Sequence, residues 1–196
     1  TQAKTLFPYT TLFRSIPHAD RYLASSANIT NKWAERFSQK RKLQVGITWS
    51  GSQIHVNDDN RSMSLAQLQP LFDIDVDWHV LQTEIRASDE ALLVHTPFKD
   101  WRHELTSLHE TAGLIEQLDL LITVDTSVAH LSAALGKPTW IMLPFAPDFR
   151  WLLNRSDSPW YPTAKIYKQP KPGDWVSVLE QVKIDLSALA LQHLNQ

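Results

Sequence analysis

The stretch DLLITVDTSVAHLSAALGKPTWIMLP, residues 119–144, constrains the fold more than any other part of the chain. Leu120 to Val124 is a nearly continuous apolar run, too short for a helix and suited to a strand buried on both faces. Asp125-Thr126-Ser127 is a cluster of helix-capping residues, after which Val128, Leu131, Ala134 and Leu135 recur at helical spacing. Gly136 ends that helix, Pro138 lies just past it, and Thr139 to Leu143 is a second apolar run. Strand, polar turn, helix and strand in this order make a βαβ unit, and such a unit requires parallel strands.

The polar turn sits where the first strand ends and the helix begins. In open α/β sheets ligands bind at that edge, outside the carboxyl ends of the strands. Backbone N–H groups at a helix start attract anions. His130, one helical turn beyond Thr126, faces the same way. Asp125 is itself an anion, so hydroxyls of a sugar or ribose suit it better than a phosphate does. On these residues alone two readings stand. Asp125 or Thr126 caps the helix beside a half-buried histidine, or the turn is a binding site.

Bulk composition removes several alternatives. The chain has 196 residues, 43% of them hydrophobic, enough for one domain or a domain with tails. A net charge of −2 gives no reason to expect nucleic acid or an anionic membrane as partner. Without cysteine there are no disulfides and no Cys-ligated zinc. The glycines at 46, 51, 113, 136 and 173 stand apart, so neither G-x-G-x-x-G nor a P-loop is present. No apolar run approaches the ~18 residues of a transmembrane segment. A soluble, cytoplasmic protein is the expectation.

Residues 5–15, TLFPYTTLFRS, resemble one translated reading frame of a widely used short-read sequencing adapter, and 1–15 are set aside as an expected artefact, the other reading being a natural β-prone N-terminal arm. On the adapter reading the expectation is a gene truncated here, with the true protein continuing upstream. Residues 16–42 are expected to hold one helix, capped by Asn28 or Thr30 and carrying Trp33 and Phe37, followed by the basic run Lys40-Arg41-Lys42. Leu43 to Trp49 reads as the first strand. Ser50 to Ser62 is a long polar loop at its carboxyl end, with Ser50, Gly51, His55 and Arg61 as a kit for a diphosphate: small residues, backbone N–H groups and a guanidinium.

Ser64 caps a helix through LAQLQPLF, with Leu65, Leu68 and Leu71 as its apolar stripe. The DIDVD run superficially matches a metal-binding D-x-D of some sugar transferases. It precedes the strand Trp78 to Gln82 and so lies at the amino end, away from the ligand edge. Gln82, with Thr83 and Glu84, falls at the carboxyl end. Leu92 to His95 reads as a short strand, and Thr106 or Ser107 opens a helix through Leu118. Beyond the βαβ unit Asp148 caps a turn carrying Arg150 and Trp151, where Arg150 either reaches a phosphate or pairs with Asp148 or Asp157. Ala164 to Lys168 is the last strand, and the terminal helix starts at Trp175. Alternating strands and helices predict an α/β fold, a parallel sheet with helices on both faces.

The segments VGITWSG, HVNDDNRSMSLAQLQPL, HETAGLIEQLDLLITVDTSVAHLSAALGKPTWIMLP and PDFRWLLNRSDSPWYP, followed by GDW, resemble the C-terminal glycosyltransferase domain of bacterial tetratricopeptide-repeat proteins. That domain is similar in turn to the lipopolysaccharide heptosyltransferases, glycosyltransferase family 9. The resemblance spans roughly Ile16 to Val182. It implies the Rossmann-like C-terminal half of a GT-B fold, with 16–42 a linker and helix from a missing N-terminal domain, 43–186 the nucleotide-sugar-binding domain and 187–196 a tail.

By the same resemblance Asp125, Thr126, Ser127 and His130 match a donor-binding D-T-[GAS]-x-x-H. Arg61 falls where a heptosyltransferase lysine contacts the donor phosphate. Ser50 and Gly51 match the phosphate loop, and Gln82 a position near the nucleoside. Glu110-Thr111 and the Asp-Asp pair before Asn60 depart from the family pattern. A nucleotide-sugar donor, inverting transfer and no metal or cofactor are implied. The catalytic base belongs to the N-terminal domain in that family, so no catalytic residue is assigned, and the acceptor is unknown. Two other function classes stand beside this one: a degenerate transferase domain serving as a scaffold, and a nucleotide-sugar epimerase.

Overall fold

The computed structural model describes residues 21–38 and 41–194. The adapter-like stretch 5–15 and Lys40 lie outside the described residues. Strands β1 (Gln44–Thr48), β2 (Asp77–Val80), β3 (Phe98–Asp100), β4 (Leu120–Val124), β5 (Thr139–Leu143) and β6 (Ala164–Lys168) form a 6-stranded sheet in the order β3-β2-β1-β4-β5-β6. Every pairing is parallel. This is the strand order of dinucleotide-binding Rossmann folds, with its reversal point between β1 and β4.

Helices α1 (Ala27–Arg36), α2 (Asp58–Arg61), α3 (Ala87–Leu93), α4 (Leu108–Gln117), α5 (Ser127–Ala134) and α6 (Trp175–Leu194) connect and cover the strands, together with 3-10 helices at Leu65–Leu71 and Phe149–Trp151. Alternate strand residues point to opposite faces. Val45, Ile47, Trp78, Val80, Leu120, Ile122 and Val124 enter a core closed by Leu65, Leu68 and Leu71 and by Val178, Val182 and Leu186 of α6. On the other face Leu121 and Leu81 pack with Trp33 of α1 and with Leu114, Ile115 and Leu118 at α4. Ala129 of α5 covers Ile141 and Leu143. The expected two-sided α/β architecture is therefore present.

The βαβ unit folds as its sequence dictates. Gly136, at φ +74, takes the left-handed position after α5. Its N–H bonds Ala133 O at 3.0 Å while Lys137 N bonds Ser132 O at 3.1 Å, a paired C-terminal cap that satisfies the last carbonyls. The cluster at 125–127 behaves less simply. Thr126 occupies the N-cap position, yet its side chain makes no capping hydrogen bond.

Other expectations shift. Leu92 and Leu93 close α3, with Leu93 buried, and the neighbouring strand is Phe98–Asp100 instead of Leu92 to His95. A short apolar run does not by itself separate helix from strand, and here burial of one helical face won. The cap of α1 is Ser26, neither Asn28 nor Thr30; the Thr30 hydroxyl instead donates to Glu116 at 2.9 Å. The stretch LAQLQPL is a 3-10 helix, Pro70 having no N–H to give an α-helical ladder. The loop 50–62 contains the turn of α-helix α2, and α6 continues to Leu194 through most of the segment read as a tail. The DIDVD run does lie at the amino end of β2: Asp75 pairs with Lys42, and Asp77 accepts from Gln44 Nε2 at 3.0 Å. Among the described residues no helix is long and apolar enough to cross a membrane.

Candidate functional site

At the reversal point the carboxyl ends of β1 and β4 lie side by side, with Thr48 opposite Thr123. Both threonines are buried and their hydroxyls hydrogen-bond each other. Thr123 Oγ1 also lies 3.3 Å from Thr126 Oγ1, which draws the Thr126 hydroxyl toward the sheet and away from the first turn of α5. The leading N–H groups of α5 thus keep the anion affinity of an uncapped helix start.

The loop after β1 is held by side chains, which changes the role expected of it. Gln82 is buried. Its Oε1 accepts from Trp49 N and Ser50 N, both at 3.0 Å, while its Nε2 donates to Ser50 Oγ and to Glu84 O. Gln82 is therefore a clamp between the ends of β1 and β2, with its amide already engaged. Gly51 N donates to Ser62 Oγ at 2.9 Å, and Ser62 Oγ donates to Asp58 Oδ1 at 2.6 Å. The backbone N–H groups of Ser50 and Gly51, read as phosphate ligands, are thus spent on the loop's own structure. The other Asp58 oxygen accepts from Arg86.

The fixed loop presents Arg61. Its Nη1 donates to Asp125 O at 2.9 Å, and its Nε stands 3.7 Å from Asp58 Oδ1, buried and without a hydrogen bond. The guanidinium lies against Gly51, where a Cβ would come within 2.4 Å of Nη2. A side chain at position 51 would displace the arginine, so the glycine is explained by close approach.

On the far side of Asp125, His130 Nε2 stands 3.8 Å from Asp125 Oδ1, and Nδ1 shares a hydrogen bond of 2.9 Å with Tyr161 Oη. The His130 ring stacks on Trp151 at 5.1 Å. Burial pushes the imidazole pKa below 6.5; Asp125 opposes that shift only in part, and Arg150 adds to it. His130 is consequently neutral at pH 7, with one donor and one acceptor nitrogen. Burial, then the Tyr22 side chain, hold the Tyr161 phenol above its ordinary value of 10.0, so it stays protonated. Arg150 is exposed, with Nε 3.1 Å from Asp148 Oδ1, and Asp148 Oδ1 caps the 3-10 helix by accepting from Arg150 N at 3.0 Å.

These residues border two adjoining cavities. One, of about 210 Å³, is lined by Ser50, Gly51, Gln82, Thr126 and Ser127 among others. The second, of about 300 Å³, is lined by Arg61, Asp125, Thr126, Ser127, His130 and Arg150 with their neighbours. Thr126 and Ser127 separate them and belong to both. Every residue singled out from the sequence thus comes to one place. Sequence reasoning missed Asp58, Arg86 and Tyr161, and placed Trp151 on its turn without a role; together these hold that place. The Asp58–Ser62 spacing on a helical turn was a usable signal for the first; nothing local marks Arg86.

Comparison with known proteins bears on the fold. Residues 104–142 match the model of glycosyltransferase family 9 (heptosyltransferase). The structure is similar to that of ADP-heptose lipopolysaccharide heptosyltransferase II from E. coli, at a TM-score of 0.56 and 17% identity, over 87% of this chain and 53% of that one. It is also similar to a family 9 glycosyl transferase from Veillonella parvula, at a TM-score of 0.55 and 11% identity, over 88% of this chain and 51% of that one. The chain thus spans about half the length of the solved structures it matches. No curated protein sequence matches it.

Proposed function

We propose that this chain is the nucleotide-sugar-binding half of an inverting glycosyltransferase of the GT-B type, working without a metal or other cofactor, and that transfer requires a second body. The observation that carries the reading is the pair of cavities meeting across Thr126 and Ser127, the second lined by Arg61, Asp125 and His130, with the Arg61 guanidinium held over Gly51 of the first. In such a transfer an acceptor hydroxyl attacks the anomeric carbon, a base takes its proton and the nucleoside diphosphate leaves. Charge grows on the departing diphosphate. The Arg61 guanidinium, backed by Asp58 and bonded to Asp125 O, and the N–H groups at the start of α5, held by the helix itself, meet that charge without rearranging.

Asp125 has a different task on this reading: its carboxylate accepts hydroxyl hydrogens of the donor sugar, with neutral His130 beside it. No base is assigned within the chain, and the acceptor stays unnamed. Calorimetric titration with ADP, UDP and GDP tests the proposal. At least one is expected to bind, weakened about tenfold or more by Arg61→Ala through loss of a charge-assisted contact. No heat with any of the three from a folded sample overturns the reading. Sugar transfer by this chain alone overturns the need for a second body.

A further inference from the structure

The segment between β5 and β6 builds a feature that the anion site does not use. His130 and Arg150 also border another hollow, of about 280 Å³, whose remaining walls are Phe149, Trp151, Trp160 and Tyr161. The walls are held in place. Trp151 is stacked on His130, Tyr161 is hydrogen-bonded to it, and the Trp160 indole N–H donates to Arg150 O at 3.0 Å. Just beyond Trp151 the backbone takes conformations that side chains rarely adopt, with Leu152 at φ 58, ψ −177 and Asn154 at φ 57. Strain of this kind persists only where surrounding contacts over-determine it, and it collects at ligand clamps. Phe149, by contrast, is 75% exposed at the lip of the hollow, with the Arg150 guanidinium 5.6 Å from its ring centre.

We infer that this aromatic hollow seats a pyranose ring, an inference that rests on the donor-site reading above. A pyranose presents patches of C–H on its faces and hydroxyls around its rim. The accessible aromatic walls, Phe149, Trp160 and Tyr161, match the faces by burying C–H surface against π-systems, while Trp151, 1% exposed, backs the hollow behind His130. The border shared with the anion cavity supplies rim partners, namely His130, Arg150, and Asp125 and Asp148 beyond them. A nucleobase fits less well, because it needs in-plane donors and acceptors at its edge. The Trp160 N–H is already committed to Arg150 O and the Tyr161 hydroxyl to His130. The ring belongs either to the sugar carried by the donor or to a sugar acceptor; both share the same chemistry.

Matched titrations separate these cases: UDP against UDP-glucose, GDP against GDP-mannose, ADP against ADP-glucose, and methyl α-glucopyranoside and methyl α-mannopyranoside followed by tryptophan fluorescence. Each is run on the wild-type chain and on Phe149→Ala and Phe149→Trp, at a position exposed enough to leave the fold intact. If the ring is the donor's, Phe149→Ala weakens the nucleotide sugar roughly threefold to tenfold, the contribution of an aromatic face, and leaves the bare diphosphate unchanged. If it is an acceptor's, the methyl glycosides bind and lose affinity in Phe149→Ala without regard to nucleotide. Phe149→Trp restores binding in either case.

An equal loss for diphosphate and nucleotide sugar puts the base in the hollow and overturns the inference. So does sugar binding indifferent to Phe149 in both arms, or no sugar binding at all. Absence of diphosphate binding, with a Phe149-dependent glycoside signal intact, defeats the donor-site reading and leaves the sugar site standing.

Discussion

The two ends of one parallel sheet handle charge differently. At the amino end Lys42 meets Asp75, Lys99 stands 3.6 Å from Asp77 and Lys165 meets Asp185 at 2.7 Å, pairs with at least one member well exposed to water. At the carboxyl end Asp58 is 6% exposed and shared among Arg86, Arg61 and Ser62, and Asp89, 1% exposed, accepts from the Trp49 indole at 2.8 Å. Both ends are rich in aspartate, so composition does not distinguish them. The difference is burial. An exposed pair trades one hydrated partner for another and contributes little, whereas a buried carboxylate must be fully partnered and so fixes whatever partners it. Charges at the amino end keep the edge soluble; those at the carboxyl end organise the loops around the cavities.

Substitutions at the two ends put that contrast under test. The largest effect is expected from Asp58→Ala, which strands Arg86 and frees Ser62 and the loop holding Arg61. A loss of about 3 kcal/mol is anticipated from removing one member of a buried ionic cluster, read as a lower urea midpoint at constant m. The same variant should bind nucleoside diphosphates more weakly, because Arg61 loses its backing.

An intermediate effect belongs to His130. Its folded pKa is depressed by burial below 6.5, so as the pH falls the unfolded chain takes up the proton first. The stability tied to the neutral ring is full above about 6.5 and is lost as the pH falls through the lower, folded value. Thermal melts across that interval should steepen for the wild type and flatten for His130→Gln. Identical profiles would mean that the ring is not held in its neutral form. The smallest effect is expected at the amino end, where Asp75→Ala should leave the urea midpoint unchanged within error. A cost there matching that of Asp58→Ala would break the comparison between the two ends.

Local signals carried a good part of this structure. Ala164 to Lys168 is the last strand and Ser107 caps α4, accepting from Glu110 N at 3.3 Å. The βαβ unit runs through its strand, turn, helix and glycine stop as its residues specify. Leu92 to His95 misled because apolar residues so few in number satisfy a strand and the end of a helix equally. The candidate site was legible as a set of positions, since each sits where a strand ends. Its internal roles were not. Nothing near Gln82 in the chain shows that Trp49 and Ser50 would take its amide, and nothing in SPWYP shows that Tyr161 would reach His130.

The division follows the range of the forces involved. Helix caps, glycine stops, turn residues and the alternation of apolar runs act over a few neighbouring residues, so the sequence alone settled most element types and the parallel sheet. Strand order decides which loops meet, and it is set by packing between residues far apart in the chain. Only the tertiary structure could therefore place β1 beside β4, turn Gln82 and Asp58 into clamps, lay Arg61 across Gly51 and close the aromatic hollow around Phe149. Burial assigned those roles: a buried polar group takes whatever partner the fold brings within hydrogen-bonding distance.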